Sequence, residues 1–121
     1  KPGEGVSTAE AYRAFDARPE RIAEVDRDAA LAARRACDVP LRNNLVPVSE
    51  HLLPALVDIR LWASERVDVQ RVLMSGSGSA VFMQCATFAD AGRVAAEARM
   101  RGWWARATMF GSARAAVVPN R

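Results

Sequence analysis

An α+β fold, an antiparallel sheet with helices packed on one face, is what this sequence of 121 residues predicts. Three observations predict it. Apolar residues recur at helical spacing through the first half of the chain. Short runs rich in Val, Phe and Met then flank a glycine-serine stretch, and a capped helix leads from them into one more extended run.

The first helix opens on Ser7-Thr8-Ala9-Glu10, a capping box in which Ser7 covers orphan backbone amides and Glu10 reaches back. It should run to about Ala17, with Pro19 stopping or resetting the chain. A second helix is expected from about Glu20 to Cys37, with Ile22, Val25, Ala29 and Ala32 on one stripe, ended by Asp38-Val39-Pro40. Residues 41–49 form a connector in which Asn43 and Asn44 make turn hydrogen bonds. A third helix is expected over roughly Ser49 to Glu65, where Leu53, Leu56, Val57 and Leu61 follow buried-face spacing. Pro54 lies near its start, where a missing amide costs least.

The texture changes at residue 69. Val69 to Met74 and Ala80 to Ala86 read as strands around Ser75-Gly76-Ser77-Gly78-Ser79. Thr87 to Asp90 caps a fourth helix with Ala91, Val94, Ala95 and Ala98 on its apolar face, and Gly102 fits the position just past its end. Trp103 to Phe110 is the last expected strand, one indole packed and the other partly exposed, and a polar tail follows. The order is α-α-α-β-β-α-β. A strand before residue 1 would complete β-α-β-β-α-β, the ferredoxin-like split arrangement, with extra helices.

Composition narrows the function. The length fits one domain, residues 1–121. With 50% hydrophobic and 26% charged residues, the chain can bury a core and is not of the disordered class. No apolar run is long enough to cross a bilayer and no signal peptide opens the chain, so a cytoplasmic protein without membrane contact is expected. The formal charge of +3 comes from sixteen Arg and one Lys interleaved with acids, as in Arg13, Arg18 and Arg21 among Glu10, Asp16 and Glu20. A nucleic-acid module concentrates its charge on one face and adds stacking aromatics, so nucleic-acid binding is not expected.

Cys37, Cys85 and the single His51 have no metal-ligand spacing and build no catalytic triad. The cysteines read as buried thiols, and His51 as a surface or capping residue. Trp62 reads as core.

The stretch Ser75-Gly76-Ser77-Gly78-Ser79 is the most informative. Glycines let backbone amides approach a ligand, and successive amides form a concavity suited to phosphate, although a loose hairpin needs the same residues. It is neither a Walker loop nor a dinucleotide fingerprint, because no Gly-Lys-Ser/Thr follows and a strand, not a helix, comes next. Tyr12 lies one turn after Thr8 on the same helix face, and its ring could stack on a base.

Together these segments resemble the C-terminal half of the diphosphocytidyl-methylerythritol kinase family of GHMP-type small-molecule kinases. The opening Lys1-Pro2-Gly3-Glu4-Gly5-Val6-Ser7-Thr8-Ala9-Glu10-Ala11-Tyr12 is similar to the family's strand end and helix signature. Arg42-Asn43-Asn44-Leu45-Val46-Pro47 looks like its Asn-Asp-Leu-Glu-Pro stretch, with Asn44 and Val46 in place of the usual acids. Val72 to Phe82 matches the third GHMP motif, Ser75 keeping the hydroxyl of the usual Thr, and Gly102-Trp103 also fits.

The resemblance implies a two-domain enzyme that uses ATP and Mg²⁺ to phosphorylate a hydroxyl of a cytidine-diphosphate-linked methylerythritol. It implies that Tyr12 stacks on the cytosine with Thr8 beside it, and that Ser75, Gly76, Ser77, Gly78 and Ser79 face the phosphates. The catalytic groups would sit in an N-terminal kinase domain upstream of Lys1, the partner of this one. The piece alone is then expected to be inactive and to self-associate through an open sheet edge. The alternatives are a homoserine, mevalonate or galactose kinase of the same superfamily, a freestanding regulatory domain, and an RNA-binding sheet domain. The last expects aromatics where Val72, Met74, Val81 and Met83 stand.

Overall fold

The computed structural model describes residues 1–35 and 38–111. Cys37 and the tail expected after residue 111 lie outside the described residues. Five helices and two strands follow in the order α1 (Thr8–Ala17), α2 (Glu24–Ala32), α3 (Val46–Leu52), α4 (Ala55–Ser64), β1 (Arg71–Met74), β2 (Val81–Gln84) and α5 (Phe88–Met100). The α+β class is as expected.

The ends of α1 are where local chemistry puts them. The Ser7 hydroxyl accepts from the Glu10 amide at 3.4 Å. Beyond Ala17 the chain leaves the helix at Arg18, whose φ of −145° is no longer helical. The second helix is shorter than its apolar stripe implies. Residues 20–23 are not helical, and α2 buries none of its residues, leaving Val25 and Leu31 largely exposed. An apolar stripe with no partner surface gains little from extending the helix.

The expected single helix from Ser49 to Glu65 is two helices. The chain becomes helical already at Val46, with Pro47 in the first turn, and breaks at Leu53–Pro54. The proline ring pushes the preceding residue out of the helical region, and Leu53 sits at φ −138°, ψ 88°. Leu53 and Leu56 face the core from both sides of the break, which is why the apolar spacing reads through it.

β1 and β2 pair antiparallel, Arg71 with Gln84, Val72 with Met83, Leu73 with Phe82 and Met74 with Val81. Helix α4 packs against both strands. Met74 and Val81, opposite each other, join Leu45, Leu53 and Leu56 in the core, with Val6, Phe15 and Val48 around it. On the other face Phe82 stays 40% exposed.

Helix α5 starts on Thr87, whose hydroxyl accepts from the Asp90 amide at 3.1 Å. It ends in a Schellman motif: Gly102, at φ +80°, donates to Arg99 O, and the Trp103 amide donates to Ala98 O. α5 is tied to the end of α4 by Arg66, which forks onto Asp68 (2.8 and 2.9 Å) and bonds Glu97. The Arg66 guanidinium lies 4.8 Å from the Trp62 ring centroid, and Trp62 meets Trp103 edge to face at 5.4 Å.

The expected strand from Trp103 to Phe110 does not join the sheet, which has two strands among the described residues. Its backbone has a different partner. Lys1 N donates to Trp104 O at 2.8 Å, and Trp104 N donates to Lys1 O at 3.0 Å. Such a reciprocal exchange is one hydrogen-bonded pair of an antiparallel ladder, and one pair makes no strand. The tryptophans divide as expected, Trp103 partly buried against Trp62 and Trp104 67% exposed.

Candidate functional site

The glycine-serine stretch forms a tight loop at the tip of the β1–β2 hairpin. Ser75 N donates to Ala80 O at 2.8 Å and Gly78 N donates to Ser75 O at 3.0 Å. Gly76 and Gly78 stand at φ +57° and +87°. At Gly78 the glycine is required twice over, since a Cβ there would also lie 2.9 Å from the Met74 sulfur.

Side chains from three separate segments grip this loop, and the backbone of a fourth accepts from it. The Asn43 amide nitrogen donates to Met74 O at 2.8 Å and to Gly76 O at 2.7 Å, while its Oδ1 accepts from Leu45 N at 2.9 Å. All three of these side-chain bonds agree on which end of the amide is nitrogen. The Ser49 hydroxyl, fully buried in α3, donates to Ser77 O at 2.9 Å. Thr8 Oγ1, in the first turn of α1, shares a hydrogen bond with Ser77 Oγ at 2.8 Å. The Ser79 hydroxyl donates to Glu4 O at 2.8 Å.

Loop carbonyls are thus occupied from behind. The backbone amides of Gly76, Ser77 and Ser79, in contrast, donate no hydrogen bond among the described residues. Unpaired amides in a loop with left-handed glycines make a concavity for an anion.

The structure brings Thr8 to the loop. Tyr12 follows one turn later on α1 and is 53% exposed. Sequence reasoning missed Asn43 and Ser49 as loop-holding residues. Their partners lie 28 to 33 residues further along the chain, beyond the reach of any local signal. Asn44 instead donates to Glu20 O at 2.9 Å, fixing the segment after α1.

Beside the connector a cleft of about 510 Å³ opens, lined by Ile22, Leu41, Asn43, Leu56, Val72 and Met74 among others, with the Arg42–Asp26 and Arg60–Glu50 ion pairs at its walls. His51 is exposed on the last turn of α3. Cys85 is a partly buried free thiol, and burial pushes its pKa up. Among the described residues no group of three or more His, Cys, Asp or Glu side chains comes together to hold a metal. No helix of the described residues is long and apolar enough to cross a membrane.

Comparison with curated proteins finds relatives that share one kinase name. It is 39% identical over 120 residues to the 4-diphosphocytidyl-2-C-methyl-D-erythritol kinase of Desulfitobacterium hafniense, covering 90% of this chain and 40% of that one. The kinase of that name from Moorella thermoacetica is 37% identical over 102 residues, covering 78% and 35% of the two chains. That of Azorhizobium caulinodans is 31% identical over 113 residues, covering 87% and 39%. The chain belongs to the 4-diphosphocytidyl-2-C-methyl-D-erythritol kinase family. It spans about two fifths of the length of the relatives it matches. No protein-family model matches the chain, and no solved structure does.

Proposed function

We propose that this chain is the C-terminal, substrate-binding domain of a kinase that moves the γ-phosphate of ATP to a hydroxyl of 4-diphosphocytidyl-2-C-methyl-D-erythritol, in the cytoplasm, on the non-mevalonate route to isoprenoids. The observation that carries the proposal is the pinned loop, with the unpaired amides of Gly76, Ser77 and Ser79 beside the helix that presents Thr8 and Tyr12. The names of the relatives support the same reaction.

In this proposal the exposed Tyr12 ring stacks on the cytosine and fixes the nucleotide end of the substrate. The loop amides, in a position that costs no reorganisation, meet the negative charge of the phosphates. The hydroxyl oxygen attacks the γ-phosphorus in line, the bond to ADP breaks, and the hydroxyl proton passes to a base on the companion N-terminal domain. That domain also binds ATP. Mg²⁺ favours carboxylate oxygens, and the described residues offer no acidic cluster to hold it. The reciprocal Lys1–Trp104 pair supports a ferredoxin-like completion, in which a strand ending at Lys1 runs along the extended segment after Trp104.

The test is ADP release by the complete reading frame carrying this segment, with and without the cytidine-diphosphate substrate. Release should depend on that substrate. Tyr12→Ala should weaken it about 10- to 100-fold, the worth of one stacked base. The chain of 121 residues alone should release none. Release with another small alcohol would move the assignment to a sister kinase, and silence with every alcohol would sink it.

A further inference from the structure

The glycine loop presents its amides because something else holds its carbonyls. A backbone loop of this kind can turn either pole outward: carbonyl oxygens, which repel a phosphate, or N–H groups, which bind it. Here three carbonyls, those of Met74, Gly76 and Ser77, accept from two side chains outside the loop, the Asn43 amide and the Ser49 hydroxyl. Neither donor is loosely placed. Asn43 is itself fixed by the bond from Leu45 N to its Oδ1, and Ser49 is fully buried in α3.

We propose that Asn43 and Ser49 are positioning residues that set the polarity of the Ser75–Ser79 loop, keeping the carbonyls of Met74, Gly76 and Ser77 turned inward so that the amides of Gly76, Ser77 and Ser79 face a phosphate or diphosphate group. The inference rests on the loop being the phosphate-facing element of the proposed kinase. It adds two residues, outside the glycine motif, on which anion binding depends.

The chemistry of the two positions makes the inference specific. An aspartate at position 43 has the shape of asparagine and still accepts from Leu45 N. It offers no N–H, and its charge faces the carbonyls of Met74 and Gly76. The loop must then turn at least one carbonyl away, toward the ligand side. Alanine at position 49 removes only the donor to Ser77 O and leaves the packing of α3 almost unchanged.

The experiment uses the 121-residue chain labelled with ¹⁵N and titrated with inorganic pyrophosphate, reading the amide signals of Gly76, Ser77 and Ser79. The expected result is a saturable shift of these three amides in the parent chain. Asn43→Asp and Ser49→Ala should each weaken the apparent affinity tenfold or more while the amide signals of α4 and α5 stay in place. If Asn43→Asp does not fold, Ser49→Ala alone decides. A folded variant that binds pyrophosphate as tightly as the parent overturns the positioning role and leaves the kinase proposal standing. A parent chain whose loop amides never shift, or shift no more than the scattered arginines do, overturns the loop as an anion site and this inference with it. Substrate-dependent ADP release then tells separately whether the kinase proposal has failed too.

Discussion

Two glycines of one loop should differ sharply in what they tolerate. Gly76 and Gly78 both have positive φ, so a Cβ at either costs about 1–2 kcal/mol in backbone strain. Their surroundings differ. A Cβ at Gly76 meets nothing within 4 Å, whereas at Gly78 it lies 2.9 Å from the sulfur of Met74, which is 5% exposed and part of the core. The thioether is flexible, but it has to move inside a packed cluster with Leu45, Leu53 and Leu56, and such overpacking adds about 1–3 kcal/mol. The lost entropy of the unfolded chain favours both alanines equally and cancels in the comparison. Gly76→Ala should therefore cost about 1 kcal/mol and Gly78→Ala about 3 kcal/mol. In a domain of this size these correspond to losses of roughly 5 °C and 15 °C in Tm. Thermal melts followed by circular dichroism would measure both. Equal losses at the two positions would refute the placement of Met74 beneath the loop.

Three further outcomes are expected. Hydrogen bonds from Arg66 hold the Asp68 and Glu97 carboxyls below the usual carboxylate range, and the Thr87 hydroxyl does the same for Asp90. Carboxyls lowered in the folded state stabilise it above their unfolded values, so Tm should be flat near neutrality and fall as the pH drops through about 4. Arg66→Lys, which cannot fork, should lower the neutral Tm and blunt this acid dependence. Of the two helix caps, Thr87→Ala should cost about 1 kcal/mol in urea unfolding, and Ser7→Ala less, because its bond is longer at 3.4 Å against 3.1 Å. Phe82, Phe88, Met109 and Phe110 line one open cleft and stay exposed, so the chain should self-associate in sedimentation. A single monomeric species over a wide concentration range would count against that.

What the sequence made legible was local chemistry. Ser7, Thr87 with Asp90, and Gly102 act within a few residues of themselves, and each stands where its spacing predicts, whereas the expected return bond from the Glu10 side chain to Ser7 is not among the bonds of the described residues. The hairpin around Ser75–Ser79 was equally readable. Apolar periodicity proved a poorer guide to length. It carried one helix through Pro54, because Leu53 and Leu56 reach the same core from two helices, and it lengthened α2, whose stripe covers nothing. The last strand failed for another reason: a strand is a relation between segments, and among the described residues the one ladder-type pair of this segment is Trp104 with Lys1. The same holds at the site. Resemblance set Thr8 beside Tyr12 and the loop at the phosphates, but the Thr8–Ser77 contact and the grip of Asn43 and Ser49 on the loop carbonyls join distant parts of the chain and have no periodic trace.

The edge-to-face indole corner between α4 and the end of α5 gives the molecule an optical signature of its own. Trp62 and Trp103 sit edge to face at 5.4 Å, and Trp104, next to Trp103 in sequence, is 67% exposed. All the tryptophan emission therefore comes from one coupled pair and one wet indole. Peeling α5 from α4 would abolish the far-ultraviolet exciton couplet of the pair without touching the solvent-facing ring. A strand laid along the Trp104 segment would do the reverse, shifting that ring's emission to the blue while the couplet persists. Loosening of the helix pair and covering of the open edge can thus be told apart in unlabelled protein, by colour alone.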